Sequence, residues 1–467
     1  MSKPKEYSWM TKDKLMTYTF FAVLILTLVT IGIWSTETTP SIMYGHTHWN
    51  LGLTVAISAL ISVGIAVGLD AFLHKVAVDS PLNLMSAAVF GLIVTDCYTF
   101  GVPVMRTIEL FPLEAPQCFA YVAAMSAIGL IVFKKLVGLS GRKYVNPAAA
   151  AKFVVMIPFI NTLLIAVDHM KSSLLKVPSL AGPIGLASVV NGNGYPGAAG
   201  KLAGFGDYMI SCFSNANHAA PSPTTTHLLE AMFLEQFHDW AGGASAIAVV
   251  IVGIGFFIVA RKYVKWRITV SYLVTTAVLS LILSAAYGDT DYLVRLLFLL
   301  FIGASIFLAF FMATDPATTP LTYTGQAIFG AGVAILTVLM ITYLQFFGAS
   351  FVALIIMNLT VPALDRVGKL TPSTEAKHPK LPKAQAFAPE KVKEYQCIRC
   401  GVCMRVCCHK LSPILIKQAF DKMNFDSMSK LHAEYCDGCG HCSYVCPSRI
   451  DLKGAVLRSK AMLRQQQ

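Results

Sequence analysis

Charge is scarce in this chain. Of 467 residues only 13% are charged and only 25 are acidic, about half the charged share of an ordinary soluble domain. That shortage excludes a single soluble globular domain. With 55% hydrophobic residues and a mean hydropathy of +0.62, disorder and a fibrous repeat are excluded too. Cysteine is nearly absent from the first 396 residues, where only Cys97, Cys118 and Cys212 occur, so no secreted disulfide scaffold is built there. No P-loop, dinucleotide-binding glycine fingerprint or nucleophile triad can be read, and a nucleotide would have to bind on a partner. Nucleic acid is not expected among the partners.

What is present is apolar and comes in blocks. Ten segments stand out, at about 15–34, 51–72, 84–98, 119–133, 146–167, 241–260, 268–286, 293–313, 327–344 and 349–364. Most are long enough to cross a hydrocarbon layer about 30 Å thick. The expected fold class is therefore an α-helical polytopic membrane domain of about ten transmembrane helices. The third and fourth segments are short enough to be broken or re-entrant. The first follows Lys3, Lys5, Lys12 and Lys14 like a signal peptide, but it is too long and lacks a cleavage site, so it reads as a retained anchor. Trp34, Trp49, Trp240 and Trp266 fall near segment ends and suit interface belts.

Alternate connections carry the cations: Lys75, then Lys134, Lys135, Arg142 and Lys143, then Arg261, Lys262, Lys265 and Arg267. The opposite connections are nearly free of them, and the long loop 168–240 holds three Lys against five acids. The positive-inside rule then places both termini in the cytoplasm of a cell whose inner membrane holds the chain. Residues 365–467 contain 18 Lys+Arg against 9 Asp+Glu. The sequence divides into a membrane domain at 1–368 with an extracytoplasmic loop at 168–240, a Pro- and Lys-rich tether at 369–393, and a tail domain at 394–467. Ser80–Gly91 and Thr319–Gly330 align without gaps, with five identities, a trace of duplication or of chance in apolar sequence.

The tail holds the sharpest signal. Cys397-x2-Cys400-x2-Cys403-x3-Cys407 is followed by Cys436-x2-Cys439-x2-Cys442-x3-Cys446-Pro447. This is the spacing of two [4Fe-4S] clusters in which the fourth Cys of each run crosses to the other cluster. Cys397, Cys400, Cys403 and Cys446 would hold one, and Cys436, Cys439, Cys442 and Cys407 the other. Gly401, Gly438 and Gly440 give the loops their turns. Structural zinc favours pairs of CxxC rather than triplets plus one, and a reducing compartment disfavours disulfides. Cys408 stands where Pro would follow the fourth cysteine. A small α+β ferredoxin-like domain moving single electrons is expected.

The tail motifs CIRCGVCMRVC and CDGCGHCSYVCPS resemble the ferredoxin-like region of the C-type subunit of Rnf complexes. The membrane part, through Gly138–Ala148 (GLSGRKYVNPA) and Met312–Leu321 (MATDPATTPL), resembles the D-type subunit of Rnf complexes and NqrB. The resemblance implies a flavin-carrying membrane subunit of a redox-driven ion pump. It implies FMN esterified to a Thr in a motif similar to S-x-A-T-x-L after the fifth helix. The nearest match is Ser222–Leu228 (SPTTTHL). Aligning Thr-x-Leu selects Thr226, aligning the Ser selects Thr225, and either Thr also suits the N-cap of the following amphipathic stretch. The resemblance further places Asn146-Pro147 and Asp315-Pro316 around a second flavin such as riboflavin. Taken by themselves, the two dipeptides are helix-boundary turns. Asp70 and Asp96 read as interfacial or locally hydrogen-bonded acids, with an ion path as the alternative.

The expected function is electron transfer between cytoplasmic clusters and membrane flavin in an ion-translocating oxidoreductase complex. A non-pumping conduit or quinone reductase module, or an anchor for a soluble redox enzyme, is the alternative. Partners would be other membrane and soluble subunits, membrane lipid, and an acidic ferredoxin-like protein or flavoprotein drawn to the basic tail.

Overall fold

The computed structural model describes residues 6–35, 51–76, 82–98, 117–136, 143–156, 233, 245–287, 292–301, 305–344, 349–367, 384–386 and 394–465. The apolar runs form helices because a chain in lipid must satisfy its backbone internally. They are α1 (Lys12–Trp34), α2 (Leu51–Val76), α3 (Leu84–Tyr98), α4 (Gln117–Ile128), α5 (Pro147–Met156), α6 (Ala246–Ala260), α7 (Trp266–Tyr287), α8 (Tyr292–Phe301), α9 (Tyr323–Leu344) and α10 (Ala349–Val367). Each expected segment overlaps one of them. Six spans are long and apolar enough to cross a membrane: Lys12–Ile33, Gly52–Val76, Phe119–Leu136, Trp266–Ala286, Tyr323–Thr342 and Ala349–Val367. The chain is a multi-pass membrane protein.

The other segments are shorter or irregular among the described residues. α3 and α6 have only 15 residues each. α4 runs into a π segment, Gly129–Leu136, where Lys134 Nζ donates to the Ser86 carbonyl at 2.7 Å. In the eighth segment α8 is described as far as Phe301, and Ser305–Phe307 leads into a second π segment, Leu308–Met312. Insertions of this kind are local departures that no hydropathy run reveals.

Close approach of backbones sets the packing. A Cβ on Gly91 of α3 would sit 2.8 Å from Val63 Cα of α2, and one on Gly330 of α9 would collide with the Ile268 carbonyl of α7. The two glycines hold equivalent positions in the aligned segments Ser80–Gly91 and Thr319–Gly330. Small residues at helix contacts are what membrane packing favours.

The tail, 394–465, holds α11 (Val402–Arg405), α12 (Pro413–Asp421), α13 (Phe425–Lys430), α14 (His441–Tyr444) and α15 (Leu452–Gln465). The α+β expectation for this domain is not met among the described residues, which show no strand in it. Residues 395 and 448 run side by side through one backbone bond, Tyr395 N–H to the Ser448 carbonyl at 2.9 Å, and the Ser448 hydroxyl caps the Gln396 carbonyl at 2.8 Å. A side chain takes the place of a second ladder bond. The strands present lie elsewhere: β1 (Glu6–Ser8) pairs antiparallel with β2 (Ala384–Ala386). Part of the expected tether thus docks on the N-terminal segment.

Candidate functional site

The eight expected cysteines fall into two groups of four. Cys397, Cys400, Cys403 and Cys446 line one cavity of about 330 Å³, together with Ile414, Ile450 and Leu452. Cys407, Cys436, Cys439 and Cys442 line a second of about 360 Å³, with His409, Asp437 and Lys453. In each cavity one thiol comes from the other run, which is the crossing that the spacing implies.

Local sequence explains the cradles. Each CxxCxxC run wraps through a glycine at its fifth residue, Gly401 (φ 73°) and Gly440 (φ 81°), before a one-turn helix carries the third cysteine. At the third residue the second run uses Gly438 (φ 77°), but the first uses Arg399 at φ 55°, a left-handed backbone that costs a non-glycine roughly 1–2 kcal/mol. Backbone N–H groups point at sulfur: Arg399 donates to Cys397 Sγ and Leu411 to Cys407 Sγ, both at 3.3 Å. Burial pushes the thiols up, Cys446 to about 12 and Cys439 to about 11. Such thiols stay protonated unless a metal displaces the proton. Four soft sulfurs, glycine turns and inward N–H groups fit a four-iron cluster in each cavity.

Cys408, buried beside Cys407, lies with its Sγ 3.6 Å from Cys439 Sγ and 3.3 Å from His441 Nδ1. The sequence marked it as a departure without showing which cysteine it would meet. His409 pairs with Asp437 at 3.3 Å. Burial pushes the Asp437 carboxyl up, but the Cys439 N–H and His409 outweigh this and hold it below its ordinary value.

The first cavity is set against one end of the membrane domain. Arg399 pairs with Asp365 of α10 at 3.1 Å, and the same carboxylate accepts the Leu321 N–H at 2.7 Å. Lys12 N–H donates to the Pro447 carbonyl at 3.0 Å, the Tyr395 hydroxyl to Asp13 at 2.6 Å, and Arg405 to the Lys262 carbonyl. Cys400 packs with Met10, Leu15, Tyr263 and Val264; Cys403 and Cys446 lie with Leu321. Sequence reasoning missed this seat, and no local pattern announces Arg399 or Asp365.

The same end gathers the two dipeptide motifs. Asn146 caps α5, its Oδ1 accepting the N–H groups of Ala148 and Ala149 at 3.1 and 3.3 Å, and its Nδ2 donates to the Met312 carbonyl at 3.5 Å. Asp315 caps the turn after the eighth segment, accepting the Ala317 N–H at 3.1 Å. Both behave as boundary turns, and the structure brings them together. Lys265, buried nearby, donates to the carbonyls of Pro316 and Thr319, each at 3.0 Å, and to the Thr319 hydroxyl at 2.9 Å. Thr225 and Thr226 lie outside the described residues. Asp70 is locally satisfied, paired with Lys135 at 2.6 Å and accepting the Asn83 N–H at 2.8 Å. Neither carboxylate oxygen of Asp96 meets a hydrogen-bond partner among the described residues.

Fold and site together define a polytopic helical membrane protein that carries a cysteine-rich tail seated on one end. Residues 7–372 match the family described as NQR2, RnfD, RnfE, and the chain belongs to it. Three relatives are D-type subunits of redox complexes. The chain is 25% identical over 333 residues to that of the proton-translocating ferredoxin:NAD(+) oxidoreductase complex of Clostridium ljungdahlii, covering 70% of this chain and 86% of that one. It is 25% identical over 325 residues to that of the Na(+)-translocating ferredoxin:NAD(+) oxidoreductase complex of Acetobacterium woodii, covering 69% and 81%. With that of the ion-translocating oxidoreductase complex of Pectobacterium carotovorum it shares 28% identity over 326 residues, 68% of this chain and 84% of the other. The family match ends before Cys397, so the cysteine cavities stand on their own geometry.

Proposed function

We propose that this chain is a membrane electron-transfer subunit of an ion-translocating oxidoreductase complex, joining [4Fe-4S] clusters in its tail to flavin in its membrane domain. The observation that carries this reading is the sorting of eight thiols into two cavities of four, one of them against the membrane domain. Clusters bound there would supply one-electron storage and transfer at potentials set by charge and hydrogen bonds to sulfur. The residues do the rest. Cys397, Cys400, Cys403 and Cys446 hold the inner group; Cys407, Cys436, Cys439 and Cys442 hold the outer. Arg399 and Asp365 fix the inner cavity to the membrane end where Asn146 and Asp315 converge, and those two would flank a flavin. Thr226, with Thr225 as the alternative, would carry FMN through its hydroxyl. The basic connections argue for a cytoplasmic tail and an inner-membrane location, and the relatives' names argue for other members of such a complex as partners.

Iron and acid-labile sulfide on the purified chain test the clusters: about eight of each per chain are expected, and none would sink the reading. Flavin fluorescence of the denatured chain in a gel, lost on Thr226→Ala, tests the covalent FMN. A dark wild-type band would withdraw it. Turnover of the purified complex in sealed vesicles that builds no ion gradient would reassign the protein to the non-pumping conduits.

A further inference from the structure

The two faces of the tail differ. The face around Cys400, Cys403 and Cys446 is occupied by the membrane domain through Leu321, Tyr263, Asp365 and the N-terminal segment, and these three cysteines are buried. The face around the second cavity is built from tail residues alone. Cys439 is exposed there, and Cys407, Cys436 and Cys442 are half-buried.

That open face has a charge of its own. Residues 394–467 carry eleven Lys+Arg against six Asp+Glu, and two of the cations, Arg399 and Arg405, are committed to the membrane seat. Lys453 and Lys460 lie two turns apart on α15, so they share one side of the helix. Both are set over the second cysteine loop: Lys453 runs beside Gly438 and Gly440, and Lys460 Nζ donates to the Cys436 carbonyl at 2.7 Å. The acid of this loop, Asp437, is partly offset by His409.

We propose that this face, centred on the Cys436–Gly440 loop and flanked by Lys453 and Lys460, is the docking surface for a soluble one-electron carrier with an acidic rim. The proposal rests on the two-cluster reading for its purpose and on charge and exposure for its place. A carrier seated here approaches Cys439 and three half-buried cysteines, whereas Cys400, Cys403 and Cys446 are shielded by the membrane domain and only Cys397 of that group is exposed. Cations around a thin protein wall raise the local concentration of an acidic partner and speed its encounter.

The test is binding of the full chain in detergent to a reduced acidic ferredoxin, with zero-length carboxyl-to-amine cross-linking to place the contact. Lys453→Glu with Lys460→Glu is expected to weaken binding about ten-fold at low ionic strength and to flatten its salt dependence. Cross-links are expected to map to Lys453 or Lys460. Charge reversal at Lys422 and Lys430, away from the cavity, is the comparison and is expected to weaken binding less. Equal loss from both pairs, or unchanged affinity in the first, would overturn the docking surface. Iron analysis of the same preparations reports separately on the clusters: salt-sensitive binding at this face without iron would retain the surface and remove the cluster reading.

Discussion

Arg399 occupies a backbone conformation that its counterpart Gly438 adopts freely. The strain is maintained because the guanidinium reaches Asp365, and both side chains are largely buried. Removing one partner strands the other, so Asp365→Ala is expected to cost about 3 kcal/mol, read as faster tryptic release of the tail in detergent. Lys265 offers a pH test. Burial, with the Arg399 cation beside it, brings its amine down to about 7, against about 10.4 in an unfolded chain. Between those values the unfolded chain binds a proton that the folded chain lacks, so this group makes stability rise with pH from about 7 to about 10.4. Melting curves of wild type should shift upward across that window, and Lys265→Met should flatten the shift. Cys408 is placed to donate S–H to Cys439. Donation to a cluster ligand raises potential, so with a cluster in the outer cavity, as proposed, Cys408→Ala is expected to lower its midpoint and leave the inner one unchanged in an EPR-monitored titration. The cysteine spacing made the two groups of four legible in the sequence. Arg399, Asp365 and Lys265 were not, because their roles depend on contacts 34 and 54 residues away.

Helix positions were largely legible, since lipid converts apolar length into helix. What escaped was their internal irregularity, at Gly129–Leu136 and Leu308–Met312, where carbonyl and side-chain contacts outcompete the regular ladder. The aligned segments Ser80–Gly91 and Thr319–Gly330 gain meaning from packing: Gly91 and Gly330 each let a neighbouring backbone in. Gly330→Leu is expected to destabilise the α7–α9 contact by about 1–3 kcal/mol, the usual cost of overpacking. The measurement is a lower melting temperature in detergent, with Gly255→Leu, which meets open space, as the tolerant comparison.

For the whole molecule, composition foretold a membrane domain and a separate tail, and the family match confirms the first of these. The mode of attachment was not foreseeable. The stretch 369–393 reads as a free tether, yet Ala384–Ala386 is a strand, and its partner is Glu6–Ser8 at the far end of the sequence. Nothing in either tripeptide signals the other, because two short strands acquire their pairing only from the helices that bring them together.

That pairing has a consequence for synthesis. The earlier strand must wait for its later partner, so α1–α10 are made before the cysteine-rich tail can lock onto them. Severing the polypeptide after residue 368 would leave an unpaired edge at the amino end. Such a truncated product is expected to show enhanced hydrogen exchange at residues 6–8 even though α1–α10 are retained.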